Sequence, residues 1–268
     1  GYAAGAAITT GGGNTLVGYA SGDSILTGAN NTALGRHSLG AANGSESNNT
    51  AIGFGALSAF TTNGTNRNTA VGASALGTAA DGNSNTAIGS RALGNALVTG
   101  DNNTAVGESA GASITGGGSN VIIGADAGAA NTTGASNVYI GTGAADVIVD
   151  GDGNVVVGKD AFGGVTGADC DHNIAIGLDA MLGNGSSTGN QNIGIGRAAL
   201  GAFTTGQQNT MVGYNAGDAI VGGSYNVAMG VDAIGVSTDV DLSVAIGHSA
   251  MGGGNVTSAA DGTVAVGK

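Results

Sequence analysis

The sequence predicts an all-β chain folded as a parallel β-solenoid, or β-roll, of about 15 coils with 17–20 residues per coil. Three observations lead there. A five-residue phrase (Asn, then Thr, Val or Ile, then usually Ala, then an aliphatic residue, then Gly) recurs along the whole chain, with its glycine at Gly18, Gly35, Gly53, Gly72, Gly89, Gly107, Gly124, Gly141, Gly158, Gly177, Gly196, Gly213, Gly230, Gly247 and Gly267. A fixed period of that length marks a repeat architecture, too short for helix pairs and without the glycine at every third position that collagen requires. The composition also suits narrow coils: 56 of 268 residues are glycine, proline and tryptophan are absent, and aromatic residues make up 3%.

The phrase opens on asparagine. It stands four residues before the glycine at Asn14, Asn31, Asn49, Asn68, Asn85, Asn103, Asn120, Asn137, Asn154, Asn173, Asn192, Asn209 and Asn226, and gives way to Ser243 and Thr263 in the last two copies. Stacked coils put like residues above one another at about 4.8 Å, so the amides are expected to form a hydrogen-bonded ladder. Asn49, Asn68, Asn85 and Asn103 represent that file, and Gly53, Gly72, Gly89 and Gly107 the glycine file.

Next come two columns sharing one face of a strand, two residues apart. One holds Thr15, Thr32, Thr50, Thr69, Thr86 and Thr104, then Val121, Val138, Val155, Ile174 and Ile193; the other holds Val17, Leu34, Ile52, Val71, Ile88, Val106 and Ile123. β-Branched residues dominate both, as strands favour, and the expectation is that both point into the coil. The column between them, Ala33, Ala51, Ala70, Ala87, Ala105 and Ala175, then faces the other way, toward partner chains. The glycine that ends the phrase marks a tight bend needing positive φ or a close backbone approach. Three residues later stands alanine, as at Ala56, Ala75, Ala92, Ala110, Ala127 and Ala144. The variable connections carry turn chemistry at Asn43-Gly44, Asn63-Gly64, Asn184-Gly185 and Gly116 to Gly118.

Residues 1–268 read as a single repeat array. Gly1-Tyr2-Ala3-Ala4-Gly5 fits the same frame and Gly267 is followed by one residue, so the chain reads as a segment of a longer fibre without its caps. One coil of small residues buries little apolar area, and three chains sharing an axis would bury more, so a homotrimer, intertwined or side by side, is expected.

Charge is sparse and acidic, with 18 Asp plus Glu against 6 Lys plus Arg and a formal net charge of −12. Nucleic acid and anionic membranes reward clustered Lys and Arg, so neither is expected as a partner. No run of about 18 apolar residues is present to span a membrane. The single cysteine, Cys170, provides neither a disulfide framework nor zinc-site spacing.

No motif carries catalysis or a cofactor. Gly194-Ile195-Gly196-Arg197-Ala198-Ala199 mimics a dinucleotide fingerprint but is one more copy of the phrase, with no βαβ unit around it. Asp146, Asp150, Asp152, Asp160, Asp169, Asp171 and Asp179 fall in different columns and read as a solvated acidic patch rather than a calcium site. His37, His172 and His248 occupy different frames and suggest no triad. The threonine column invites an ice-binding reading, which its assigned burial sets aside. The sequence therefore predicts no enzyme, no cofactor and no metal.

The phrases Asn49-Thr50-Ala51-Ile52-Gly53, Ser243-Val244-Ala245-Ile246-Gly247 and Thr263-Val264-Ala265-Val266-Gly267 resemble the head repeats of YadA-like trimeric autotransporter adhesins, and equally the NNTAIG repeats of phage tail fibres and related bacterial fibre proteins. The resemblance implies a left-handed roll, a homotrimer, and binding to surfaces outside the cell. It further implies an extracellular location, on a bacterial surface or a phage virion tail. The expected function is a structural and adhesive fibre segment giving reach, stiffness and attachment to a host glycan or protein. The alternative is a purely structural, self-assembling filament or matrix protein with no receptor. The longest connections, Leu57 to Arg67, Phe162 to His172 and Met181 to Gln191, offer Phe60, Arg67, Phe162, His172 and Gln191 as receptor-contact candidates.

Overall fold

The computed structural model describes residues 1–40, 44–59, 66–78, 81–166, 170–183, 185, 187–253 and 261–268. Among the described residues there is no helix. The chain divides into two compact units, Gly1–Gly134 and Ala135–Lys268. The first holds β1 (Thr15–Val17), β2 (Thr32–Leu34), β3 (Thr50–Ile52), β4 (Thr69–Val71), β5 (Thr86–Ile88), β6 (Thr104–Val106) and β7 (Val121–Ile123). The second holds β8 (Val138–Ile140), β9 (Val155–Val157), β10 (Ile174–Ile176), β11 (Ile193–Ile195), β12 (Thr210–Val212), β13 (Val227–Met229), β14 (Val244–Ile246) and β15 (Val264–Val266). Each strand occupies the second to fourth positions of one phrase, so the predicted β-solenoid is what the chain forms.

Within each unit successive strands pair in parallel and without slippage. Thr50 lies beside Thr69, Ala51 beside Ala70 and Ile52 beside Val71; in the second unit Ile174 lies beside Ile193 and Ile176 beside Ile195. Such register keeps each residue type in its own vertical file.

The asparagine file is a ladder of a more economical kind than amide on amide. Each Oδ1 accepts the backbone N–H of the next asparagine: Asn68 to Asn85 at 2.8 Å, Asn85 to Asn103 at 2.8 Å, Asn103 to Asn120 at 3.0 Å, and in the second unit Asn154 to Asn173 at 2.9 Å. Nδ2 groups of the ladder donate to a backbone carbonyl one coil on, as from Asn85 to Gly100 and from Asn103 to Gly117, both at 2.9 Å. One buried side chain thus satisfies a donor and an acceptor of the main chain that no strand pairing reaches. Direct amide contacts also occur, as from Asn120 Nδ2 to Asn103 Oδ1 at 3.0 Å.

The glycine file meets both requirements the sequence set. Gly89 has φ +136° and Gly107 φ +138°, and a Cβ on Gly89 would stand 2.3 Å from the Gly107 carbonyl oxygen. The chain turns off the strand there with backbone packed directly on backbone.

The strand faces are the reverse of those expected. Ala33, Ala51, Ala70, Ala87 and Ala105, at the strand centres, are fully buried, whereas Val17, Leu34 and Ile88 are 52%, 48% and 41% exposed. The interior also takes Ile122, Tyr139 and Val156 at strand centres, all fully buried, but where alanine holds that position the room left for it is small. The space is filled from the far side by Ala56, Ala75 and Ala92 and by Leu39, Leu57, Leu76 and Leu93, all with no exposure. Each buried leucine contributes about 1.5–3 kcal/mol. The alanine column is therefore core, and the threonine and aliphatic columns form the outer face.

Volume is traded across that narrow space. Where Met211 replaces the strand-centre alanine, Gly217 stands opposite, and a Cβ there would meet Met211 Sδ at 2.6 Å. Where glycine takes the strand centre, at Gly194, Met181 fills the room, its Cγ 2.6 Å from a would-be Cβ. Leucines occupy the file of Gly217 at similar φ, Leu57 at +50° and Leu76 at +47°. Met211→Ala alone is expected to cost about 2–5 kcal/mol as a cavity, and Gly217→Leu alone to overpack by about 1–3 kcal/mol. The double substitution should recover most of the loss, which a thermodynamic cycle by denaturant unfolding would measure.

Asp218 gives the second unit a pH dependence. Burial, then repulsion from Asp232, raises its carboxyl above the usual 3.8, partly offset by backbone N–H groups of Asp218 and Ala219. A raised acid opposes folding once ionised, so its penalty is present at neutral pH and fades as pH falls through the raised value. Asp218→Asn should therefore raise the melting temperature at pH 7 and leave it unchanged below the ordinary aspartate range.

Candidate functional site

Two kinds of surface stand out, each built by the repeat itself. The first is the outer strand face. In the second unit it presents Val138 and Ile140, Val155 and Val157, Ile174 and Ile176, then Ile193 and Ile195, with no charged residue at any outward strand position from β8 to β15. Ile176 and Ile195 are each 36% exposed and Met229 46%. In the first unit threonine takes one of the two files, from Thr15 to Thr104, and those side chains face outward. Burial thus gives no reason to set ice binding aside, but the aliphatic replacement of threonine across most of the second unit fits a dry protein contact better.

Beside that face, in the first unit, Tyr2 and Tyr19 stack with centroids 5.6 Å apart, and the Arg36 guanidinium lies 5.8 Å from the ring centroids of both Tyr19 and Phe54. His37 packs edge-on against Tyr19. Tyr2, Tyr19, Arg36 and Phe54 are successive residues of the file that follows the glycine, and His37 stands one position further on.

The second surface is the corner just before the strands. Arg67, His172 and Gln191, three of the receptor-contact candidates, occupy one position of the repeat, immediately before the ladder asparagine, with φ of +51°, +58° and +60°. All three are exposed. In the second unit His172 and Gln191 continue into Gln208 and Tyr225, also in the left-handed region at +57° and +62°. Gln208 Nε2 donates to Gln191 Oε1 at 2.9 Å, and Tyr225 is 56% exposed. The sequence reading missed Gln208 and Tyr225, because it searched long connections rather than the file; the residue before each ladder asparagine was the available signal.

Phe162 does not belong to this surface. It is fully buried and stacks on Phe203, centroids 5.8 Å apart, because it stands in the file that Leu76 and Leu93 fill elsewhere. A core ring cannot stack on a sugar, so Phe162 is a packing residue. Phe60, together with Asn43, Asn63, Gly64, Asp169 and Asn184, lies outside the described residues.

One position earlier runs a second ladder of opposite sense. There the backbone N–H of one coil donates to a side chain of the next: Asp152 to Asp171 Oδ1 at 2.8 Å, Asp171 to Asn190 Oδ1 at 2.7 Å, Gln207 to Ser224 Oγ at 3.1 Å, and Ser224 to Asp241 Oδ1 at 2.6 Å. Two carboxylates of the acidic patch, Asp171 and Asp152, are thus structural acceptors, Asp152 Oδ1 taking the Ala135 N–H at 2.7 Å.

The chain matches no family model and no curated protein.

Among the described residues, no three His, Cys, Asp or Glu side chains come together in a way that could hold a metal ion. His248 Nδ1 lies 3.0 Å from Oγ of its neighbour Ser249, a local contact at an exposed turn. The described residues include no helix long and apolar enough to cross a membrane.

Proposed function

We propose that the chain is a segment of an extracellular fibre, similar to the trimeric adhesin heads and tail-fibre repeats its phrases resemble, serving reach, stiffness and attachment rather than catalysis. The observation that carries this reading is the outer strand face: two regular files, free of charge, aliphatic through most of the second unit. A lone chain in water leaves that face wet, and each side chain of Val or Ile moved out of water returns about 25 cal/mol per Å². Association of copies through this face is the economical way to cover it, and parallel register lets three identical files meet along one axis. The chain-to-chain contact thus uses the threonine and aliphatic columns, not the alanine column, which is core.

Mass in solution tests the proposal. The 25.0 kDa chain should sediment as three copies, about 75 kDa. The pair Ile176→Lys and Ile195→Lys, on exposed strand positions, should convert it to monomer with the solenoid's circular dichroism retained. A chain that stays monomeric at all concentrations would overturn the proposal, and open-ended polymers would favour the receptor-free filament.

A further inference from the structure

The His172–Tyr225 edge of the second unit is regular in a way that points to one class of ligand. Its side chains, His172, Gln191, Gln208 and Tyr225, come one per coil, so they repeat at about 4.8 Å. None is a carboxylate, an ammonium or a guanidinium, and each offers groups the fold does not consume. Gln208 spends its Nε2 on Gln191 Oε1, which leaves Gln208 Oε1 and Gln191 Nε2 facing solvent. The Tyr225 hydroxyl and the His172 ring have no hydrogen-bond partner among the described residues. Amides and a phenol pair with hydroxyl groups as both donor and acceptor, and the phenol ring adds an apolar face.

The main chain narrows the choice further. Along this edge each N–H is already bonded to the coil before it: His172 to Asp152 O at 2.8 Å, Gln191 to Asp171 O at 3.0 Å, Gln208 to Asn190 O at 3.1 Å and Tyr225 to Gln207 O at 3.0 Å. An extended peptide seeking to add a strand would find those donors taken. At the two ends of the file the second ladder places a carboxylate, Asp171 beside His172 and Asp241 one coil beyond Tyr225, each with only Oδ1 committed to a backbone N–H. They repel anions and accept hydroxyl hydrogens. The arrangement suits a chain of neutral, hydroxyl-rich units whose repeat approximates one coil, since a pyranose unit in an extended polysaccharide has about that length.

We infer that this edge binds a neutral polysaccharide laid along the coil axis, with one sugar unit per coil from His172 to Tyr225. The inference builds on the proposed attachment role and names its ligand class. Acidic polysaccharides are disfavoured by the aspartates at both ends of the edge.

Binding of neutral oligosaccharides of two to six units (glucan, mannan and galactan series) to the 268-residue chain, measured by isothermal calorimetry, tests it. Uronic-acid oligomers of the same lengths serve as the acidic comparison. At least one neutral series should bind, with affinity rising up to about four units and then levelling, while the uronic acids do not. Gln208→Ala and Tyr225→Ala, both at exposed positions, should each weaken binding by at least tenfold with circular dichroism unchanged, and Arg36→Ala in the first unit should leave it unaltered. No binding of any neutral series, equal binding of uronic acids, or binding indifferent to both edge substitutions would overturn the inference. Mass measured on the same samples separates the two readings: a trimer that binds no sugar removes the ligand and keeps the fibre, whereas a monomer that binds removes the trimeric fibre and keeps the edge.

Discussion

Gly89→Ala is expected to break the solenoid locally and cost the first unit roughly 4 kcal/mol or more, in the range reserved for disrupted backbones. The added Cβ would sit 2.3 Å from the Gly107 carbonyl oxygen and 2.6 Å from its carbon, both backbone atoms that only a shift of the whole coil can move. Strain adds to the clash, because φ at Gly89 is +136°, where L-residues pay about 1–3 kcal/mol. Any shift also pulls on the bond from Gly107 N to Ile88 O, now 2.8 Å. Gly116→Ala is the control: it lies in a connection of the same unit, and its nearest neighbour to a new Cβ is a methyl of Thr133 at 3.9 Å. That change should stay within about 0.5 kcal/mol. Thermal and urea unfolding of both variants, read by circular dichroism, should separate them cleanly.

Asn103→Leu should have the next largest effect. The side chain is fully buried, and its loss strands the backbone N–H of Asn120 and the carbonyl of Gly117, which it now meets at 3.0 and 2.9 Å. It also removes one of two acceptors of Asn120 Nδ2, which keeps the Gly134 carbonyl at 2.9 Å. At about 1–3 kcal/mol for each unsatisfied buried group, the total is roughly 2–6 kcal/mol. Asn103→Ser should cost less. Ser243 shows why: it holds the same position near the end of the array and its Oγ accepts the Thr263 N–H at 3.2 Å, so a hydroxyl replaces the Oδ1 function while the Nδ2 function is lost. Urea midpoints ordered wild type, Ser, Leu would bear this out, and equal midpoints for Ser and Leu would show that Oδ1 contributes little.

Much of the fold is legible because the repeat writes the same physical requirement many times. The strands begin one residue after each ladder position, as Thr69 follows Asn68 and Val227 follows Asn226. The glycine file announced its own reason, since only glycine tolerates both the φ and the contact found at Gly89. The inward face was harder to read. In a segment such as Thr86-Ala87-Ile88 both faces are apolar enough to be core, and period alone does not choose between them. What decides is width: Leu76 and Leu93 already fill the coil from the far side, leaving room for a methyl group at Ala87. The exchange between Met211 and Gly217 carried that information in the sequence, in the form of compensating sizes.

The corners were not legible at all. Leu76, Arg91 and Ser84 adopt φ of +47°, +56° and +58°, and none of these residue types signals the left-handed region. The position is imposed by closure of the coil, with the ladders holding each corner in place. The second ladder escaped notice for a related reason: Asp152, Asp171, Asn190 and Ser224 look like ordinary turn residues until the stacking shows each one taking an N–H from the coil before. The proposed binding edge follows the same pattern. His172 and Gln191 were chosen for their chemistry, and only the common file linked them to Gln208 and Tyr225.

Solid-state NMR distance measurement on uniformly labelled protein tests the stacking of coil on coil most directly. It should show backbone contacts between Ala70 and Ala87 and between Ala87 and Ala105, neighbours in the parallel register though 17 and 18 residues apart in sequence. Absence of these contacts, or contacts running in the antiparallel sense across the same strands, would contradict the solenoid and every inference drawn from its files.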